Sequence, residues 1–114
     1  MYVINNTYIM HGWKVLGEVK IVIIRLAKIE DEEKISKLIA QFRVELKEFK
    51  GITSTPKIDQ AKEEFREYME AKYPIFVAED NSKKLLGYLV CRIHDSVVWA
   101  ESLFVSDSAR RKGI

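Results

Sequence analysis

The sequence contains little cysteine, proline and glycine, which excludes an internal disulfide and a low-complexity tract. The single cysteine, Cys91, cannot form a disulfide within the chain, which favours a reducing, cytoplasmic setting. Its place in an apolar run predicts a small buried residue in preference to a catalytic nucleophile. The two prolines and five glycines among 114 residues form no low-complexity tract, and no internal repeat is present.

Long apolar runs and a large excess of one charge are missing as well. No apolar stretch reaches the ~20 residues that a membrane-spanning helix needs, and the first residues lack the pattern of a secretory signal peptide. The formal net charge is +2, and the basic cluster at 110–112 is too short for a groove-binding surface. We therefore expect neither a membrane nor a nucleic acid as partner. His11 and His94 are interpreted as solvated or packing residues, so no metal site is expected.

What is present, 47% hydrophobic and 32% charged residues, is typical of one small globular protein. Residues 1–19 leave two interpretations open. Two short apolar runs flank Asn5-Asn6-Thr7, which suits a hairpin turn because asparagine tolerates positive φ. This segment is either an extra β-ribbon or a poorly ordered leader. We therefore divide the chain into an N-terminal extension, 1–19, and a domain, 20–114.

The domain begins with a strand and a long helix. Residues 20–27 are rich in β-branched side chains, which predicts a strand. Acidic residues at 30–33 begin a helix whose apolar positions recur at helical spacing as far as Phe49. Gly51 is expected to end that helix as its C-terminal capping glycine.

A second helix and three strands complete the pattern. Thr55 is expected as the N-cap of the second helix and Pro56 as its first residue. The three strands are expected at residues 75–78, 85–93 and 97–105, joined by short turns. This order predicts an α/β (α+β) fold, with helices on a sheet whose last three strands form an antiparallel meander.

The last ten residues, 105–114, follow the final predicted strand and combine features that bind an anion. Backbone N–H groups at the start of a helix are unpaired and carry partial positive charge. A glycine, Gly113, lets a ligand approach the backbone, and the arginine and lysine side chains before it are donors to phosphate. The segment therefore predicts a phosphate-binding turn.

This segment resembles the acetyl-CoA-binding motif of the GNAT superfamily of N-acetyltransferases, which reads Arg/Gln-x-x-Gly-x-Gly/Ala after an apolar strand. Residues 110–114, Arg-Arg-Lys-Gly-Ile, match its first five positions, and Asp107 stands near where the family usually carries proline. The order of elements from residue 20 onward matches the first half of that fold. The resemblance therefore covers residues 20–114 and implies a partial GNAT-like fold without the later helices and strands.

The resemblance implies transfer of an acetyl group from acetyl-CoA to an amine of unknown identity. Backbone N–H groups would hold the pyrophosphate, and the residues concerned are Arg110, Arg111, Lys112, Gly113 and Ile114. The end of the last strand would pair with the pantetheine arm and polarise the thioester carbonyl, and it consists of Leu103, Phe104 and Val105.

The amine must lose a proton, and Glu101 is the candidate base because several family members carry a glutamate at the matching strand position. The alternative is an exposed or salt-bridged strand glutamate without a catalytic role. Glu79 is a weaker candidate for the same role.

The sequence ends inside the motif, and this leads to two further expectations. The last strand would be an open apolar edge, so we expect a homodimer formed by paired strands or exchanged elements. A helix start needs a helix behind it, so acetyl-CoA binding by these residues alone is expected to be weak or absent. The alternative function is a catalytically inactive truncated remnant that self-associates through its exposed sheet edge.

Overall fold

The fold is that of a computed structural model, which describes residues 2–4, 7–15 and 18–110, with side chains from Ile21 to Arg110. The strands and helices are β1 Tyr2–Ile4, β2 Thr7–Val15, β3 Glu18–Leu26, α1 Glu32–Phe49, α2 Ile58–Glu70, β4 Ile75–Asp80, β5 Leu85–His94 and β6 Val97–Val105. Short 3-10 turns lie at Ile29–Asp31 and Asp107–Ala109. The six strands form one compact unit, and the two helices form another within residues 28–73.

The strands form one antiparallel sheet in the order β1-β2-β3-β4-β5-β6, so each strand pairs with the next along the chain. The predicted α/β fold class is confirmed, and so is the meander of the last three strands. Within the extension, β1 pairs with β2, and β2 continues the sheet by pairing with β3. Of the predicted turn Asn5-Asn6-Thr7, residues 5–6 lie outside the described residues and Thr7 is the first residue of β2. The division of the chain after residue 19 stays a prediction.

The end of α1 is fixed by a glycine. Gly51 has a φ of 79°, its N–H donates to the Glu48 carbonyl at 2.9 Å, and the Ile52 N–H reaches the Lys47 carbonyl at 2.8 Å. These two bonds define a Schellman motif, which needs a residue in the left-handed region. The predicted capping role of Gly51 is therefore confirmed.

The predicted start of the second helix is wrong by a few residues. The helix begins at Ile58, and Lys57 is its N-cap, with a φ of −113° and a ψ of 84° that lie outside the helical region. Because Lys57 is not helical, Pro56 cannot be the first residue of the helix and Thr55 cannot be its cap. The sequence preference for these two residues at a helix start does not decide the outcome here.

Ion pairs join α1 to α2. Glu32 accepts from Arg66 at 2.6 Å, and Glu33 pairs with Lys62 at 3.0 Å. The hydrogen bond from Arg66 is the main reason that the pKa of Glu32 lies below its ordinary value. Within the part of the chain that the structure describes, no helix is long and apolar enough to cross a membrane.

Candidate functional site

The candidate site lies along β6, whose one strand neighbour among the described residues is β5. The register pairs Tyr88 with Phe104, and the Ser106 N–H donates to the Leu86 carbonyl at 2.8 Å. Backbone groups of an antiparallel strand point alternately towards and away from their partner. The N–H and carbonyl of Val105 therefore point away from β5, to the side of β6 that has no paired strand among the described residues and that we call the open edge.

Gly87 sets how closely β5 and β6 approach at this end. A Cβ atom at Gly87 would lie 2.6 Å from the Phe104 carbonyl oxygen and 3.2 Å from the Val105 Cα. These neighbours are backbone atoms, which cannot move away as a flexible side chain would. Glycine is therefore required here, and its absence of a side chain keeps the end of β6 tight against β5.

A β-bulge lies in the middle of β6. Val90 pairs with Ser102 and Cys91 pairs with Ala100, so Glu101 has no partner in the register. A bulge inserts one residue into a strand and changes the direction of its side chain. The candidate base is thus placed at the irregular point of an edge strand.

Two side chains of β5 contact the bulge. The Arg92 Nε donates to the Glu101 Oε2 at 3.1 Å, and the Tyr88 hydroxyl lies 2.9 Å from the Ser102 Oγ. Tyr88 and Arg92 are four residues apart on one strand and therefore share a face of the sheet. The bulge consequently brings Glu101 and Ser102 to that same face, beside an arginine and a buried tyrosine.

The salt-bridged alternative for Glu101 matches the contact that it makes with Arg92. This contact leaves both side chains about 40% exposed, so solvent and small molecules reach the carboxylate. The role of Glu101 as a base stays a prediction. Arg92 and the Tyr88–Ser102 pair were missed, because the strand pattern gives no signal for a bulge that realigns two neighbouring residues.

Glu79 lies in the middle of the sheet. Its carboxylate oxygens accept from the Arg25 Nε at 3.4 Å and from the Arg25 Nη2 at 3.0 Å, and the two side chains are 10% and 17% exposed. Both oxygens are thus held by one guanidinium inside the sheet. This geometry is typical of a structural ion pair and favours Glu101 over Glu79 as the base.

The turn after β6 is anchored by one small residue. Ala109 is buried in a cluster with Val22, Ala78 and Leu86. The N–H groups of Ala109 and Arg110 both donate to the Ser106 carbonyl, at 3.0 and 3.1 Å. The backbone leading into the predicted phosphate-binding segment is therefore fixed as far as residue 110.

The Arg110 side chain folds back onto β6. Its Nε donates to the Val105 carbonyl at 2.8 Å, its Cζ lies 5.4 Å from the centre of the Phe104 ring, and its Nη1 is 3.6 Å from the Asp107 carboxylate. Of the predicted cofactor-binding residues, these contacts bring Phe104, Val105 and Arg110 together, next to Leu103 on the same strand. The others lie outside the described residues, namely Arg111, Lys112, Gly113 and Ile114.

One face of the sheet carries an apolar row, which we define as Leu26, Phe76, Leu89 and Leu103. Each of these residues is the register partner of the next, so the row crosses four strands. Its two ends, Leu26 and Leu103, are about half exposed. The apolar row therefore reaches the open edge of β6.

The family is established by the comparison of sequences. The family model described as the acetyltransferase (GNAT) family matches residues 39–114, which is more than half of the chain, and the chain therefore belongs to this family. The resemblance first noted at residues 110–114 is confirmed at this level. No curated protein sequence matches the chain.

The fold is similar to that of a solved relative. A crystal structure of an acetyltransferase of the GNAT family from Staphylococcus aureus Mu50 matches with a TM-score of 0.57 at 16% sequence identity. The match covers 82% of this chain and 58% of the relative. The chain thus spans less than two thirds of the length of that protein, and at this identity the likeness concerns the fold.

Proposed function

We propose that this protein transfers an acetyl group from acetyl-CoA to an amine. The observation that carries the proposal is the open backbone edge at Val105, which runs directly into the segment that matches the family's pyrophosphate motif. A strand edge and an anion-binding turn in direct succession suit a ligand with an amide-containing arm and a pyrophosphate. The single buried cysteine fits the cytoplasmic setting that we propose with it.

The donor would bind as an additional, strand-like partner. The outward N–H and carbonyl of Val105 would bond amide groups of the pantetheine arm, as peptides bond an exposed sheet edge. The following residues, from Arg110 onward, would hold the pyrophosphate by backbone N–H groups and guanidinium donors. This arrangement would place the thioester beside the bulge, where an outward backbone N–H would polarise its carbonyl.

The bulge in β6 would supply the general base for the transfer step. The amine nitrogen attacks the thioester carbonyl carbon, the carbon–sulfur bond breaks, and coenzyme A leaves as a thiolate that takes up a proton from solvent. The proton that the amine loses passes to Glu101, directly or through one water molecule, and general-base help of this kind contributes about 10²- to 10⁴-fold in rate. Arg92 would hold the Glu101 carboxylate in place through the 3.1 Å hydrogen bond.

The proposal is tested by acetyl-CoA titration in a calorimeter and by thiol release with a panel of amines. We expect weak but saturable acetyl-CoA binding and amine-dependent thiol release. The variant Glu101→Gln should lose about 100-fold in kcat without a change in acetyl-CoA affinity, whereas Glu70→Gln, an equal charge change at an exposed position of α2, should behave as wild type. Absence of acetyl-CoA binding would contradict the proposal, and an unchanged Glu101→Gln would contradict the role of Glu101 alone.

A second candidate is a non-catalytic protein that self-associates as a homodimer through β6. It is favoured by the exposed apolar side chains of this edge strand, which are Val97, Val98, Trp99 and Leu103. Exposed apolar edge strands pair with other chains, and one inserted charge weakens such pairing. Light scattering over a concentration series should then show a dimer that Val98→Lys disrupts, with no acetyl-CoA binding by either form.

A further inference from the structure

Arg92, Glu101 and Trp99 form a cluster of exposed side chains on β5 and β6. Arg92 and Trp99 are register partners, and directly opposed residues of an antiparallel pair lie on the same face of the sheet. The bond from the Arg92 Nε to the Glu101 Oε2 shows that the carboxylate lies on that face as well. Trp99 is 51% exposed, and the two charged side chains are about 40% exposed. An indole ring, a guanidinium and a carboxylate are therefore presented together to solvent.

The guanidinium of Arg92 uses one of its N–H donors within this cluster. Its Nε bonds Glu101, and this is the one hydrogen bond of Arg92 among the residues that the structure describes. The Nη1 and Nη2 groups of a guanidinium form a planar fork that matches a carboxylate bidentately. Arg92 can thus hold Glu101 through Nε and a second anionic group through the fork at the same time.

The two charged groups select a ligand that carries both signs of charge close together. The Glu101 carboxylate accepts hydrogen bonds from an ammonium group, and the Arg92 fork donates to a carboxylate. An α-amino acid has this arrangement, because one carbon atom separates its ammonium from its carboxylate. A simple amine satisfies only Glu101 and places its positive charge beside the guanidinium without a compensating negative one. The pair therefore discriminates against such an amine.

Trp99 supplies the apolar part of the cluster. Val97 and Trp99 are two positions apart on β6 and share a face, and both are about half exposed. Because Trp99 is directly opposite Arg92, the side chain of an amino acid held by the charged pair is within reach of the indole ring. Aromatic rings contribute a large apolar contact area. A bulky apolar side chain is therefore favoured over a small or charged one.

We propose that this cluster binds the acceptor of the transfer reaction, and that the acceptor is a free α-amino acid with an apolar side chain. The inference rests on the proposed function, in which Glu101 takes the proton of the amine. Arg92 binds the α-carboxylate, Glu101 holds the amine, and Trp99 contacts the side chain. The zwitterion and acetyl-CoA then give the N-acetyl amino acid and coenzyme A as the thiol, with a net release of one proton to solvent.

The role of Arg92 is tested by thiol release with L-phenylalanine and L-phenylalaninamide, which are similar in size and differ in the α-carboxylate. The ratio of kcat/KM for the acid to that for the amide should fall about 10-fold from wild type to Arg92→Gln, because glutamine offers no cationic fork. Comparing the two ratios cancels the different basicities of the acceptors and any general loss of rate. Lys84→Gln, an equal charge change in the exposed turn before β5, should keep the wild-type ratio. An unchanged ratio in Arg92→Gln would overturn the proposal.

The role of Trp99 is tested by changing the side chain of the acceptor. Trp99→Ala should lower kcat/KM for L-phenylalanine about 10-fold and leave kcat/KM for glycine nearly unchanged, because glycine has no side chain to contact the ring. Phe49→Ala removes an aromatic side chain that is 93% exposed at the end of α1, and it should behave as wild type with both acceptors. Equal losses for the two acceptors in Trp99→Ala would overturn the assignment of an apolar side chain.

Binding of the acceptor is measured without acetyl-CoA, so that this proposal and the proposed function fail separately. In nitrogen-15 NMR spectra, L-phenylalanine should shift the Trp99 indole N–H and the Arg92 Nε–H signals, and L-phenylalaninamide should need about a 10-fold higher concentration for the same shift. Wild-type protein in which L-phenylalanine shifts neither signal would overturn the proposal. Binding without acetyl transfer supports the cluster and rejects the transferase, whereas acetyl transfer to amines without a preference for the α-carboxylate rejects only the amino acid as acceptor.

Discussion

The centre of the sheet and its open edge each hold an arginine–glutamate pair between neighbouring strands, and the two pairs differ in what surrounds them. In the centre, Arg25 bonds Glu79 with both side chains mostly buried, at 3.0 Å. At the edge, Arg92 bonds Glu101 at a similar 3.1 Å, with both side chains about 40% exposed. The same chemical pair is therefore a structural element in one place and an accessible group in the other.

The local register explains this difference. Both pairs lie beside an irregularity of the sheet, but the extra residue differs. Near Glu79 the register moves from Ala78↔Gly87 to Glu79↔Leu85, which leaves the buried Leu86 as the additional residue. At the edge the additional residue is Glu101 itself. A carboxylate is available for chemistry where the bulge places it outside the ladder.

The largest effect is expected from breaking the central pair. Arg25→Ala leaves the Glu79 carboxylate mostly buried without its partner, which should lower the free energy of unfolding by about 3 kcal/mol. The measurement is urea denaturation at neutral pH. The double variant Arg25→Met/Glu79→Met should recover most of the loss, because two apolar residues leave no unpaired charge. An equal loss in Arg92→Ala would remove the distinction between centre and edge.

The second largest effect is expected at Gly87, where β5 and β6 approach each other closely. In Gly87→Ala the new Cβ would lie 2.6 Å from the Phe104 carbonyl, so the strands must separate, and we expect a loss of about 2 kcal/mol. The control is Gly51→Ala, where space is open and only the positive φ is strained, with an expected loss of about 1 kcal/mol. Gly87→Ala should also weaken acetyl-CoA binding, measured by calorimetry. A stability loss no greater than that of Gly51→Ala would show that the two strands are not closely packed.

The two ion pairs also show which features of the protein can be predicted from the sequence. The bounds of β6 follow from its apolar run and turns, and the role of Gly51 follows from a local preference for glycine at a helix end. The family can be identified from the sequence because the motif residues 110–114 are contiguous in the chain. Each of these signals is local in the chain.

The remaining features depend on groups that are distant in sequence. The bulge at Glu101 results from how β6 aligns with β5, and no residue type announces it. Arg92 becomes relevant only through that alignment, and the pairing of Arg25 with Glu79 joins residues 54 positions apart. The fold of Arg110 back onto Val105 depends on where Ala109 is buried. Sequence alone therefore predicts the helices, the strands and the family. It does not predict the contacts that distinguish Glu79 from Glu101.

A smaller effect is expected at the edge pair. Exposed ion pairs contribute about 0.2 to 1 kcal/mol, so a double-mutant cycle of Arg92→Ala and Glu101→Gln should give a coupling energy of about 0.5 kcal/mol. Urea denaturation of the four proteins measures it. A coupling above about 2 kcal/mol would place this pair with the central one as a structural element. It would then count against Glu101 as an accessible group at the edge of the sheet.

The smallest effect concerns the pair between Glu32 and Arg66, which extends the comparison to an ion pair between the two helices. The hydrogen bond from Arg66 lowers the pKa of Glu32 below its ordinary value of 4.5. A carboxylate whose pKa is lowered on folding adds stability above that ordinary value, and the contribution is lost as the pH falls through the folded-state pKa. Arg66→Gln should therefore flatten the decline in unfolding free energy between pH 5 and pH 3, relative to wild type. Lys50→Gln, which removes an equal charge from the end of α1, should leave the decline unchanged. An identical decline in Arg66→Gln and wild type would mean that the hydrogen bond between Arg66 and Glu32 contributes nothing to stability.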